Sequence, residues 1–151
     1  MEACKMAIEE KVEMTASERE IMRVVWTLGE ATSKDIVDVL EAKKEWKPAT
    51  AKTFIGRLVK KGFLLAEPEG NKYIYSAAIS EEDSVKTAAH RLFDQICHKQ
   101  AGKTIADMLA EAPLSHQDVE LIQQVLDDKK KHAVDEVACN CVPGQCKCST
   151  H

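Results

Sequence analysis

The stretch Lys47-Pro48-Ala49-Thr50-Ala51-Lys52-Thr53-Phe54-Ile55-Gly56-Arg57-Leu58-Val59-Lys60-Lys61-Gly62 decides the fold. Pro48 stands at a first-turn position, where its missing N–H costs nothing, and Gly62 supplies a C-terminal stop, so the segment reads as one helix. Two stripes run along it at helical spacing. Ala51, Phe54, Ile55, Leu58 and Val59 recur every three or four residues and are expected to face a core. Ala49, Lys52, Thr53, Gly56, Arg57 and Lys60 follow the same period on the opposite side, with no acid among them. Small residues allow close approach, while hydroxyl, ammonium and guanidinium groups are the donors that meet base edges and phosphates in a major groove. Gly56 costs on the order of 1 kcal/mol against alanine in a helix interior, which suggests that something packs closely on this stripe. The plainer reading of the same stripe is a solvated basic face.

Working upstream, Thr15-x-x-Glu18 has the form of a capping box, followed by Ile21, Met22, Val25, Trp26 and Leu28 at helical spacing and by Gly29 as a stop. After a two-residue break, Thr32-x-x-Asp35 opens a second helix with Ile36, Val39 and Leu40 on its apolar face, running to about Lys44. Downstream of Gly62 the period changes. Phe63 to Glu67 and Lys72 to Ser76 read as two short strands around Pro68-Glu69-Gly70-Asn71. Three helices followed by a hairpin make a winged helix, with Lys72 and Tyr73 at the far side of the hairpin able to reach backbone phosphate or minor groove. Tyr73 can equally pack inward as a strand residue.

Beyond the wing the chain is helical again. Ser80-x-x-Asp83 caps a helix bearing Val85, Ala89, Leu92, Phe93 and Ile96, a short helix covers about Thr104–Leu109, and Ser115-x-x-Asp118 opens another with Val119, Ile122, Val125 and Leu126. A chain this small can hardly bury all these stripes against its own winged helix, and a homodimer formed through residues 80–132 answers that need. Ordinary core is the alternative for the same stripes. Lys129-Lys130-Lys131-His132 complements the C-terminal end of the last helix.

The tail, Cys139-Asn140-Cys141-Val142-Pro143-Gly144-Gln145-Cys146-Lys147-Cys148, sets two Cys-x-Cys pairs on either side of a Pro-Gly turn. Such a set suits one soft ion, and thiolates favour zinc or cuprous copper over hard cations. Zinc ribbons usually space their cysteines Cys-x2-Cys, so the tighter pairs lean toward a cluster able to hold low-coordinate copper as well as tetrahedral zinc. A disulfide-bearing tail remains open on spacing alone. Cys4, in an N-terminal stretch of no clear period, and Cys97, on an amphipathic helix, are expected to be inert rather than liganding.

Charge and composition narrow the classes. The formal net charge is −4, yet Lys47 to Tyr75 carries six basic residues and two acids, a local +4 that leaves −8 for the rest. A basic island in an acidic chain suits a local polyanion contact. No apolar run approaches membrane-spanning length and the start lacks an export pattern, so a cytoplasmic location and no membrane partner are expected. In a reducing compartment free thiols persist, which favours metal over disulfide in the tail. No His-Glu-x-x-His, phosphate-binding glycine loop or nucleophile elbow is present, and the sequence is read as that of a non-enzyme with no catalytic residue.

Ala16-Ser17-Glu18, Met22-Arg23-Val24-Val25-Trp26, the helix from Ala49 to Gly62 and Tyr73-Ile74-Tyr75-Ser76 together resemble the penicillinase-repressor family of winged-helix regulators, over about residues 12–132. With the Cys-x-Cys-x4-Cys-x-Cys tail added, the chain is similar to the CopY branch of that family, the copper-responsive repressors of bacterial copper-transport operons. The resemblance implies a homodimer that holds zinc and represses at operator DNA when copper is low, then loses zinc to cuprous ions, often delivered by a copper chaperone. In the β-lactam-sensing branch the family is inactivated by proteolysis at an Asn-Phe bond, and the matching place here is Asp107-Met108.

The expected architecture is mainly α: an N-terminal extension over 1–14, a winged helix-turn-helix domain of three helices plus a β-hairpin wing over 15–78, a helical dimerisation region over 79–132, and a flexible Cys-rich metal-binding tail over 133–151. The metal candidates are Cys139, Cys141, Cys146 and Cys148, with zinc as cofactor and cuprous copper as effector. The DNA-contact candidates are Thr32 and Ser33 at the start of the second helix, Ala49, Thr50, Lys52, Thr53, Arg57 and Lys60 on the third, and Lys72 and Tyr73 in the hairpin. A thiol redox-sensing repressor and a β-lactam-type relative with a metal-buffering tail are the alternatives.

Overall fold

The computed structural model describes residues 13–148, so most of the N-terminal extension, Cys4 and residues 149–151 lie outside the described residues. Two compact units divide the chain, one ending at Ala88 and the other beginning at Ala89. The first contains α1 (Ala16–Leu28), β1 (Glu30–Ala31), α2 (Ser33–Lys44), α3 (Pro48–Lys61), β2 (Leu64–Glu69) and β3 (Lys72–Ala77). Its antiparallel sheet has the order β1-β3-β2, which makes this unit a winged helix.

Local chemistry sets the helix ends. The Thr15 hydroxyl accepts from the Glu18 amide at 3.2 Å, and Gly29 closes α1 at φ 83°. Thr32 and Asp35 form a reciprocal capping box on α2, with bonds of 3.1 and 2.9 Å. At the end of α3, Gly62 is left-handed at φ 85° and the Phe63 amide reaches back to the Leu58 carbonyl at 3.0 Å, turning the chain directly into β2. A two-residue loop with Gly70 at φ 63° joins β2 to β3, and Pro68 is tolerated because β2 is an edge strand.

Ile21, Met22, Val25, Ile36, Leu40, Ile55, Leu58 and Leu64 form the buried core, with Phe54, Trp26 and Trp46 packed partly against it. The indole Nε1 of Trp26 donates to the Ile79 carbonyl at 2.8 Å, fastening the chain that leaves β3 onto α1.

Several expectations need correction. Val39 and Val59 fall on the expected core stripes but are 51% and 37% exposed, since each lies at the margin of an apolar face too narrow to cover it. Glu18 does not return to its own N-cap; it is buried, and Lys61 Nζ donates to both its oxygens at 2.8 Å while also bonding the Glu13 carbonyl. An ion pair out of water outcompetes the local cap. The break after Gly29 is β1, whose two residues pair with Tyr75 and Ser76.

Helix α4 (Glu81–Asp94) begins in the first unit, where the Ser80 hydroxyl caps it, and continues into the second. The second unit adds a 3-10 turn (His98–Gln100), α5 (Ala101–Glu111), α6 (His116–Lys130) and an irregular tail. Ser115 and Asp118 form the expected capping box on α6, and the Thr32 and Ser115 boxes hold their aspartates below the usual carboxylate range. Helix α5 is longer than the expected 104–109 segment. Asp107-Met108 lies inside it, with Asp107 paired to Lys103 at 2.7 Å. Among the described residues no helix is long and apolar enough to cross a membrane.

The buried pair yields a direct test. Lys61→Ala strands the Glu18 carboxylate and should lower the urea-unfolding free energy by about 3 kcal/mol, whereas Glu18→Met with Lys61→Met should recover most of it. Equal stability of Lys61→Ala and the unaltered protein would show that the pair does not hold α1 to α3.

Candidate nucleic-acid interface and thiol cluster

Helix α3 presents Ala49, Thr50, Lys52, Thr53, Gly56, Arg57 and Lys60 to solvent while Ala51, Ile55 and Leu58 are buried. Two of the exposed side chains are already oriented. The Thr53 hydroxyl donates to the Ala49 carbonyl at 3.0 Å, and the Arg57 guanidinium lies 5.6 Å from the centroid of Phe54, whose ring packs on Trp46. Among the described residues nothing lies within 4 Å of a Cβ built on Gly56, so they do not supply the close neighbour its presence suggested. The N-terminus of α3 has no side-chain cap and no acid in its first turn, leaving the positive end of the helix uncompensated.

Thr32 and Ser33 are half-buried at the start of α2, where the Thr32 oxygen is engaged by the Asp35 amide. Lys72 and Tyr73 are exposed in the wing, Tyr73 at 54% rather than packed inward. Lys72 is close enough to Asp35 to add to the lowering of its pKa.

The second site lies wholly in the second unit. Pro143 and Gly144 turn the tail, with Gly144 at φ 96° and the Gln145 amide donating to the Val142 carbonyl at 3.1 Å. The Gln145 side-chain Oε1 in turn accepts from the Val142 amide at 2.9 Å. This folds one Cys-x-Cys pair onto the other, and Cys139 and Cys146 come to 3.4 Å between sulfurs.

Cys97 completes the group, against the expectation that it is inert. It is 9% exposed, and its sulfur lies 3.5 Å from that of Cys139 and 3.7 Å from that of Cys148. The sulfurs of Cys97, Cys139, Cys141 and Cys146 all lie within 4.8 Å of one another. Sulfurs placed tetrahedrally about 2.3 Å from a zinc ion are about 3.8 Å apart, a spacing close to these separations, so the donor set could hold a metal ion. Nothing in the local sequence around Cys97 signals this, because its partners follow 42 and 51 residues later.

Neighbouring groups hold the tail there. Asn140, between the first two tail cysteines, accepts from the His98 amide at 2.7 Å and donates to the Ile96 carbonyl at 3.4 Å. Lys99 Nζ pairs with Glu136, raising the lysine and lowering the carboxylate, and its charge also lies beside Cys139 and Cys148. A backbone hydrogen bond at Lys99 lowers the Cys97 thiol. Burial, followed by hydrogen bonding to Cys97 and Cys139, pushes Cys141 up to about 12; a hydrogen bond with Cys146, then burial, does the same for Cys148. Crowded thiols share few ionised forms unless a cation joins them.

A winged helix with an exposed, acid-free third helix defines a DNA-binding regulator. Residues 14–128 match the penicillinase repressor family, and the chain belongs to it. It is 43% identical over 136 residues to a Latilactobacillus sakei protein known as the uncharacterized 16.5 kDa protein in the ptsI 3′ region, covering 90% of this chain and 93% of that one. It is 25% identical over 118 residues to the penicillinase repressor of Bacillus licheniformis, covering 78% and 92%. Among solved structures it is similar to the CopR repressor, at 45% identity over 40% of this chain and 87% of that one, with a TM-score of 0.36. The monomeric Bacillus licheniformis BlaI bound to the blaP half-operator is 31% identical, with 48% and 90% covered and a TM-score of 0.43. The family assignment rests on the sequence matches. It makes the chain a transcriptional repressor, a DNA-binding regulator rather than an enzyme.

Asn140→Ala should free the tail in the reduced, metal-free protein. Exchange of the His98 amide should quicken roughly fivefold, the equivalent of about 1 kcal/mol for one hydrogen bond, and trypsin should cut after Lys147 sooner. Unchanged exchange would mean the tail is not held through Asn140.

Proposed function

We propose that this protein is a copper-responsive repressor: a zinc-loaded homodimer that binds operator DNA and leaves it when its tail cysteines exchange zinc for cuprous copper, releasing expression of copper transport and homeostasis genes. The observation that carries this reading is the joint presence, in one repressor-family chain, of the exposed basic stripe of α3 and a cluster of thiols 3.4–3.7 Å apart. In this reading residues 15–78 bind DNA, residues 79–132 dimerise and residues 133–151 sense the metal in the cytoplasm.

Arg57, Lys52 and Lys60 would meet phosphate and base edges from α3, with Ala49, Thr50, Thr53 and Gly56 allowing the helix to approach. Thr32 and Ser33 would touch the backbone from the start of α2, and Lys72 and Tyr73 from the wing. Support for a homodimer comes from large apolar side chains left half exposed in the second unit, among them Met108, Val119, Leu121, Val125 and Leu126.

The tail thiols Cys139, Cys141, Cys146 and Cys148 would hold the ion, supplied as tetrahedral zinc or as cuprous copper of lower coordination. Four thiolates carry the same net charge with one zinc ion as with a pair of cuprous ions, so the tail would respond to geometry rather than to charge. A copper chaperone is the partner suited to deliver cuprous ions to such sulfurs. A redox sensor is the second reading, favoured by the 3.4 Å between Cys139 and Cys146, from which a peroxide could close a disulfide with loss of both thiol protons and two electrons.

Reduced, zinc-loaded protein on its own promoter fragment, titrated anaerobically with cuprous copper, should lose zinc and DNA together. DNA retained after zinc loss, but released by peroxide in the presence of chelator, would favour the redox sensor. Serine at both Cys139 and Cys141 should abolish the copper response. Arg57→Ala or Lys60→Ala should weaken operator binding and flatten the salt dependence of log K by about one unit for each phosphate no longer neutralised. An unchanged slope for both would place the DNA elsewhere on the molecule.

A further inference from the structure

The tail alone supplies four thiols, enough for a tetrahedral ion, yet the structure gathers five. The fifth comes from the junction between α4 and α5, where Cys97 precedes the 3-10 turn with an extended backbone at φ −61° and ψ 130°. Cys97 is buried, whereas the tail cysteines are half-buried. Its sulfur is nearer to that of Cys139 than the 3.8 Å or so that separates ligands of one tetrahedral zinc ion.

Two further contacts hold this approach in register. Asn140 bonds the residue on either side of Cys97, through the Ile96 carbonyl and the His98 amide, and so places its own flanking residues, Cys139 and Cys141, at the Cys97 sulfur. Lys99, paired with Glu136, brings a positive charge beside Cys139 and Cys148, where thiolates bound to an ion would carry excess negative charge. Casual burial of a small apolar residue needs neither contact.

We infer that Cys97 is itself a metal ligand, forming the tetrahedral site with Cys139, Cys141 and Cys146, and that Cys148 is the fifth thiol, in reserve beside it. This rests on the metal-sensing reading above and changes its ligand set. It also gives the tail a fixed anchor: an ion held by Cys97 ties the tail to the start of α5, so a change of coordination reaches the helical region directly.

The full-length wild-type chain, reduced and loaded with cadmium-113, tests the ligand set without any substitution. Scalar coupling from cadmium to the β protons of Cys97, Cys139, Cys141 and Cys146 is the expected result. Coupling confined to Cys139, Cys141, Cys146 and Cys148 would overturn the inference and leave the repressor reading intact. Variants give a second measure: C148S should change zinc binding less than about threefold in chelator competition, while C97A combined with C148S, which leaves three thiols, should weaken it about 100-fold or more. In cobalt-substituted C148S the thiolate charge-transfer band should keep the intensity of four sulfurs, and in the double variant it should fall by about a quarter. Zinc binding weakened about 100-fold or more by C148S would also overturn the inference. A wild-type chain that binds neither zinc nor cadmium would overturn both this inference and the metal-sensing reading.

Discussion

One buried ion pair, Glu18 with Lys61, ties the first helix of the winged helix to the third. The Glu18 carboxylate is 1% exposed, and Lys61 donates to both its oxygens at 2.8 Å, so neither is left buried without a partner. Glu18 belongs to the first turn of α1 and Lys61 to the last turn of α3. The pair therefore joins the start of α1 to the end of α3, just before Gly62 turns the chain into the wing. A helix that carries donors to a DNA groove must be set at a defined angle and height, and here that setting comes from one buried contact added to a general apolar core.

The two functional regions are built on opposite plans. On α3 the helix itself spaces the exposed side chains, and packing refines them, as where Phe54, packed on Trp46, lies beneath Arg57. The thiol cluster has no such scaffold on its tail side. A Pro-Gly turn, the two side-chain bonds of Asn140 and the Lys99–Glu136 pair position it. Rigid presentation suits a surface that reads a regular duplex, whereas an irregular segment can accommodate ligand sets of different coordination.

Much of this was legible in the sequence because it is written locally. Thr32 with Asp35, Ser115 with Asp118, and Gly29 and Gly62 as stops each act within a few residues, and the apolar period of α3 is visible by inspection. What escaped was decided by distant chain. A strand of two residues has no period, and β1 exists only because β3 passes beside it. The motif that suggested a capping box at Glu18 was overruled by a lysine 43 residues away. Val39 and Val59 match the apolar period but sit at its edge, where width rather than period decides burial. Cys97 looked like an ordinary apolar-face cysteine, and only the return of the tail gives it partners.

That return has a consequence for the unfolded chain. Cys97 and Cys139 are 42 residues apart, and between them lie all of α5 and α6. Any link between these sulfurs, through a shared ion or a disulfide, closes a loop of that size and removes roughly 4 kcal/mol of conformational freedom from the denatured ensemble. The helices inside the loop carry neither sulfur, yet their resistance to melting becomes a property of the cysteines that enclose them.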